Sequence, residues 1–191
     1  MVGIDEILQE SRVDLTLPPQ ALNQVIAHYD TVLSSAAGSG SRSTAYYGRG
    51  RARMLMRQFL EAIADFDAAI ELDPTDVRAH FDRLWTLMRI GRFTEVVKDC
   101  DGIIKRFPTS IAVFMVRAAA FYHMHHYEKS IDDYCLVIAL SSKTNNVVFN
   151  LHGGTIHQAA VVAYQNRAKV YELLGERELA LADLERARRC A

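Results

Sequence analysis

The stretch FYHMHHYEKSIDDY, residues 121–134, gathers His123, His125, His126, Asp132 and Asp133 into fourteen positions. Imidazoles and carboxylates bind metals, and a structural zinc site needs four such ligands, a catalytic one three. His123 and His126, three apart, can share a helical face, but the spacing specifies no third ligand. The other histidines (His28, His80, His152 and His157) are scattered and form no HExxH pair. HGGT, residues 152–155, could cradle an anion at a helix start, yet it reads more simply as a turn with a cap. Cys100, Cys135 and Cys190 sit at unrelated spacings without a CxxC pair, which points to free thiols in a reducing compartment. No nucleophile motif or phosphate-binding loop stands out. The expectation is a chain that is not an enzyme, with no cofactor and no metal.

The composition narrows the class further. Half of the 191 residues are hydrophobic and 24% are charged, as in a domain able to bury a core. The formal net charge is −1 and the pI about 6.7, so no global field recruits nucleic acid or an acidic membrane. The opening MVGIDEILQESRVD carries acidic residues and no apolar run, unlike a signal peptide. The most apolar stretch, 111–124, is too short to span a bilayer and contains Arg117. A cytoplasmic protein without membrane insertion is expected.

The elements that position these side chains recur with a fixed period. Arg49 precedes Asp65 by sixteen residues, Arg83 precedes Asp99 by sixteen, and Arg117 precedes Asp133 by sixteen. Successive pairs are thirty-four residues apart. Arg167 and Asp183 follow after fifty, which is thirty-four plus a sixteen-residue insertion. Gly91 and Gly175 recur as turn residues, with Arg57 and His125 in the equivalent places, and an aromatic follows two residues later at Phe59, Phe93 and Tyr127. Small or apolar residues recur at Ala62, Val96, Ser130 and Ala180, and at Ala69, Ile103, Val137 and Ala187. Pro74 and Pro108 close the first two repeats, because proline cannot continue a helix; the third has Ser142 instead. Each repeat reads as two amphipathic helices joined by a short turn. An Arg–carboxylate ladder present in every repeat belongs to the scaffold rather than to a unique site.

The pattern from YYGRG to AIELDP (46–74) and the pattern from YQNRA to LA..DL..A (164–187) are similar to the tetratricopeptide repeat (TPR) family. That resemblance implies an all-α, right-handed superhelical stack of helix-turn-helix repeats, an α-solenoid. Repeats are expected at about 43–76, 77–110, 111–144 and 161–191, with an insertion at 145–160. Residues 1–42 are expected to form a helical cap and linker. Within it, Pro18 and Pro19 open a helix through QALNQVIAHYDTVLSSA, GSGS (38–41) makes a flexible connection, and GIDEILQE forms a further short helix. In the insertion, Thr155 would cap a lengthened first helix of the last repeat, and VVF (147–149) would dock on the protein or on a partner.

The resemblance also implies that first helices line a concave groove holding a partner. Its inward positions would be Tyr47, Arg51 and Met54 from the first repeat, and Arg78, Phe81, Trp85, Met88 and Arg89 from the second. Met115, Tyr122 and His123 would follow from the third and Lys169 from the fourth. Phe81, Trp85 and Met88 share a helical face, giving an apolar floor edged by Arg51, Arg78, Arg89 and Lys169. Such a floor suits a protein or peptide segment with hydrophobic anchors and some acidic residues. Co-chaperone members of the family grip an acidic tail with a carboxylate clamp of Lys, Asn and Arg. The corresponding positions here hold Tyr47, Arg51, Asp82, Ala112 and Val116, or Phe81, Trp85, Val116, Val162 and Asn166. Neither set supplies the donors, and Asp82 would repel a carboxylate. The expected function is a non-enzymatic adaptor without a clamp; the alternative is a structural or self-associating subunit that uses its end helices and the insertion, a homo-oligomer among its forms.

Overall fold

The computed structural model describes residues 19–35, 38–143 and 156–190. Among them every regular element is a helix: α1 (Pro19–Ser34), α2 (Ser39–Leu55), α3 (Phe59–Leu72), α4 (Val77–Arg89), α5 (Phe93–Arg106), α6 (Ile111–His123), α7 (Tyr127–Lys143), α8 (Ile156–Leu173) and α9 (Arg177–Cys190). The described residues divide into two compact blocks, α1–α4 and α5–α9, separated between Arg92 and Phe93. Within each block consecutive helices pack against one another. None of the described helices is long and apolar enough to cross a membrane.

The first block closes on small residues. Ala62, Ala69 and Ala79 are fully buried, so neighbouring backbones can approach closely. Two glycines of α2 carry this further. A Cβ on Gly48 would lie 2.3 Å from the Tyr29 ring of α1, and one on Gly50 would lie 2.8 Å from the Phe66 ring of α3. In the second block Ile111, Phe114, Ala118, Tyr134, Val137, Ala159, Ala163 and Val170 form one core drawn from α6, α7 and α8.

Turn chemistry explains the helix ends. Asp76 caps α4, its carboxylate accepting the Arg78 N–H at 3.0 Å. Asp73 accepts from both the N–H and the hydroxyl of Thr75, shaping the turn through Pro74. Where Ser142 replaces the closing proline, α7 runs on to Lys143, past the points matching Leu72 and Arg106 where α3 and α5 stop.

One expectation is revised. GSGS is not a flexible connection: Gly38 is the N-cap of α2, and Ser39, Gly40 and Ser41 form its first turn. The Arg42 N–H donates to the Gly38 carbonyl at 3.0 Å. The buried Ser43 hydroxyl donates to the Ala69 carbonyl of α3, tying the helix start to its neighbour and offsetting the low helix propensity of Gly40. In the insertion, residues 156–160 open α8, in keeping with a lengthened first helix of the last repeat. Thr155, VVF, HGGT and GIDEILQE lie outside the described residues.

All four repeat turns share one backbone form. Arg57, Gly91, His125 and Gly175 adopt φ of 61°, 74°, 59° and 81°. In each, this residue donates its N–H to the carbonyl three before it, and the next residue donates to the carbonyl five before it, as with His125 to Tyr122 and His126 to Phe121. This is the Schellman ending, which favours glycine because a Cβ is strained at positive φ. Arg57 and His125 hold that conformation at a cost. Arg57→Gly should therefore stabilise the protein by roughly 0.5–1 kcal/mol in urea denaturation, whereas Gly175→Ala should destabilise it by about as much. A loss of stability in Arg57→Gly would show that the side chain outweighs the backbone strain.

Candidate functional site

The ladder residues meet within each block. Arg49 Nε donates to both oxygens of Asp65 at 3.0 and 3.1 Å, and Arg53 Nη1 reaches the same carboxylate at 2.7 Å. Arg117 grips Asp133 with Nε and Nη2 at 2.9 and 2.7 Å, and Arg167 grips Asp183 with the same two nitrogens at 2.7 and 2.8 Å. Asp65, Asp133 and Asp183 are buried, so the two-pronged contact replaces the water these carboxylates lose. Their hydrogen bonds hold the Arg49 and Arg117 guanidinium groups above the ordinary arginine range. Arg83, which belongs to the same series, pairs with Asp67; Asp99, its counterpart in the sequence pattern, lies in the other block.

A second series went unread in the sequence. The remaining Nη1 of each arginine reaches back to the preceding helix: Arg49 to Asp30 of α1 at 2.6 Å, Arg117 to Asp101 of α5 at 2.5 Å, and Arg167 to Cys135 of α7 at 2.8 Å. Asp67, Asp101 and Cys135 are thirty-four residues apart, and Arg83 and Arg117 each stand sixteen residues after their acid. Counting sixteen backward as well as forward finds Asp67 and Asp101. Arg49, Arg117 and Arg167 thus each join the helix before to the helix after.

The histidine cluster resolves into a turn. The His123 ring stacks on Phe93 with centroids 4.8 Å apart and planes 7° apart, and the Tyr122 ring meets it edge-on. His125 Nδ1 shares a 2.8 Å hydrogen bond with the Tyr127 hydroxyl, and His126 tilts against Phe121. Among the described residues no three His, Cys, Asp or Glu side chains converge on a point that could hold a metal ion. Burial pushes the Cys100 thiol up, away from reactivity.

The residues expected to line the groove divide between the blocks. In the first, the Arg78 and Arg51 guanidinium groups lie 4.8 and 5.9 Å from the centre of the Tyr47 ring, and Arg89 lies 5.4 Å from that of Phe59. Arg51 faces Asp82 at 3.5 Å, while exposed Arg78 is paired two-pronged with Asp76. Met54 and Phe81 are half-buried. Trp85 and Met88 do not form an accessible floor: they are only 6% and 5% exposed. Leu84 to Met88 are five consecutive buried residues, more than a full helical turn, so that stretch of α4 is enclosed on every side. In the second block Met115, Tyr122, His123 and Lys169 are half-buried.

Comparison with known proteins places this architecture. Residues 43–76 and 161–187 each match a family described as tetratricopeptide repeat. The chain is a tetratricopeptide-repeat protein. No curated protein matches it at the sequence level. Among solved structures it resembles MamA from Desulfovibrio magneticus RS-1, at 13% identity and a TM-score of 0.69, over 100% of this chain and 97% of that one. Another crystal structure of MamA aligns at 16% identity with a TM-score of 0.70, over 97% of this chain and 88% of that one. A tetratricopeptide repeat protein from Parabacteroides merdae ATCC 43184 aligns at 18% identity and a TM-score of 0.57, over 99% of this chain and 66% of that one. At these identities the likeness is one of fold. Tetratricopeptide repeats are protein-interaction scaffolds, and this chain falls in that class.

The TPR ladder should be structural in any such scaffold. Asp183→Asn leaves the Arg167 guanidinium without its counter-charge and should cost about 2–4 kcal/mol of stability by urea denaturation. Asp67→Ala, which removes an exposed carboxylate, should cost under ~1 kcal/mol. Equal effects would contradict the distinction between the two series.

Tyr47 offers a pH-dependent readout. Burial, then the Asp82 carboxylate, push its phenol up to about 12, against the opposing pull of Arg51 and Arg78. The unfolded chain releases this proton near ~10, so stability falls as pH rises from there to about 12. In Tyr47→Phe that part of the alkaline loss should disappear from pH-dependent denaturation curves. An unchanged slope between the two variants would argue against it.

Proposed function

We propose that this TPR chain is a non-enzymatic, cytoplasmic adaptor that binds a protein or peptide segment through the faces of its first helices. Residues 43–191 are read as four repeats, residues 1–42 as an N-terminal cap and linker, and 145–160 as an insertion. The observation that carries the reading is the cationic, aromatic surface of the first block. Arg51 and Arg78 lie against Tyr47, and Arg89 lies over Phe59, so guanidinium groups are held beside apolar rings. A partner with apolar anchors and neighbouring carboxylates can use both.

A carboxylate clamp is not part of the proposal. Of the positions it would need, Asp82 is negative and engaged with Arg51, and Ala112, Val116 and Asn166 are buried. With Trp85 and Met88 buried as well, recognition rests on Tyr47, Arg51, Arg78, Phe81 and Arg89, supplemented by Met54, Met115, Tyr122, His123 and Lys169.

The test is charge reversal at exposed positions. Affinity purification of the wild-type chain followed by mass spectrometry should retrieve partners that Arg78→Glu/Arg89→Glu loses by about tenfold or more, a change of about 1.4 kcal/mol or more. Retrieval of every partner at wild-type levels by the double variant would sink this reading.

A further inference from the structure

The α2–α3 turn breaks two local rules at once. Arg57 and His125 both hold the positive φ that Gly91 and Gly175 adopt without a Cβ. At His125 the side chain offsets some of that strain, since its Nδ1 shares a 2.8 Å hydrogen bond with the Tyr127 hydroxyl. The ring at the equivalent place after Arg57 is Phe59, which has no hydroxyl. The exposed Arg57 guanidinium has no ion pair, hydrogen bond or ring contact among the described residues. The fold therefore accepts a strained arginine here without drawing any contact from its head group.

The second departure stands three residues on. Leu60, in the first turn of α3, is 65% exposed. Thr94, Glu128 and Glu178 occupy that place in α5, α7 and α9, polar residues suited to a helix start that meets water. A second positive charge reaches this end of α3. The Arg89 guanidinium, from the last residue of α4, lies 5.4 Å from the centre of the Phe59 ring. Glu61 is the acid of this helix start, and it makes no ion pair with either arginine. Departures from local rules that bring no internal contact gather where a surface meets something outside the fold.

We propose that the α2–α3 turn docks an acidic segment of a partner protein, which packs an apolar side chain on Leu60 and sets carboxylates against Arg57 and Arg89. A guanidinium fork takes a carboxylate two-pronged, as Arg117 takes Asp133 inside the fold. The exposed leucine supplies the apolar contact that an ion pair on a wet surface lacks. The acidity of the segment thus follows from the unpaired arginine, and its apolar anchor from Leu60. This surface lies on the turn, outside the first-helix faces described above. Arg89 alone is common to both, so the test rests on Arg57 and Leu60 and can fail or succeed independently of that reading.

Arg57→Gly separates this role from a structural one, because it relieves the backbone and removes the contact together. The probes are two fluorescein-labelled Gly-Ser peptides with a central Leu-Glu-Glu-Leu or Leu-Lys-Lys-Leu. Fluorescence anisotropy with the whole chain should show the Glu peptide binding about fivefold tighter than the Lys peptide. Arg57→Gly should remove most of that preference while its urea midpoint holds or rises. Arg57→Glu should reverse the preference, and Leu60→Thr, which installs the residue of α5, should weaken both peptides. Circular dichroism checks that these exposed substitutions leave the helices intact. Equal binding of the Glu peptide by Arg57→Gly and the wild type would overturn the proposal, as would unchanged binding in Leu60→Thr. A lower urea midpoint in Arg57→Gly would overturn it too, since the side chain would then serve the fold. Tighter, Arg57-dependent binding of a dT oligonucleotide would replace it with a nucleic-acid partner. A dimer in sedimentation velocity that Leu60→Thr abolishes would make the occupant a second copy. A tenfold gain in Glu-peptide affinity in Asp5→Asn/Glu6→Gln/Glu10→Gln would make it the chain's own N-terminal segment, and either result overturns the proposal.

Discussion

A carboxylate buried on the second helix of a repeat and gripped by an arginine of the first is the contact on which the rest of the structure depends. Asp65, Asp133 and Asp183 are each almost wholly removed from water, where a lone carboxylate would be prohibitively costly. Each is instead met by two nitrogens of one guanidinium group in parallel. Such a pair adds little net stability over a well-packed apolar contact, because desolvation consumes most of the Coulombic gain. What it enforces is register. Sliding the second helix by one turn would leave both charges buried without partners, so the hairpin closes in one alignment. The third nitrogen then reaches back to Asp30, Asp101 or Cys135 and extends that alignment to the preceding helix.

The turn between the helices is subject to the same constraint from the other side. A residue at positive φ reverses the chain within a few positions, and the alignment of Arg with Asp sixteen residues later requires that tight reversal. Gly91 and Gly175 suit this conformation, whereas Arg57 and His125 accept strain to preserve it. The histidine-rich segment that suggests metal chemistry is one of these reversals. His125 occupies the glycine position, Tyr127 supplies the aromatic of the next helix, and Asp133 is the buried acid. Its chemistry-bearing residues are together because the repeat places them there.

Much of this was legible in the sequence, for a definite reason. Period and spacing survive translation into a repeating structure, so the Arg–Asp pairs, the turn positions and the helix pairs could be read by counting. The lengthened α7 also follows from one residue, Ser142, in place of a proline. Burial was less legible. Trp85 and Met88 fall on a helical stripe with Phe81, which suggests a floor, but a stripe cannot show that Leu84, Thr86 and Leu87 are buried too. GSGS suggests a linker by composition, but glycine and serine content signals one only when no neighbour supplies contacts, and Ser43 bonding to α3 anchors that helix start. The backward acids, Asp67 and Asp101, follow the same rule of sixteen.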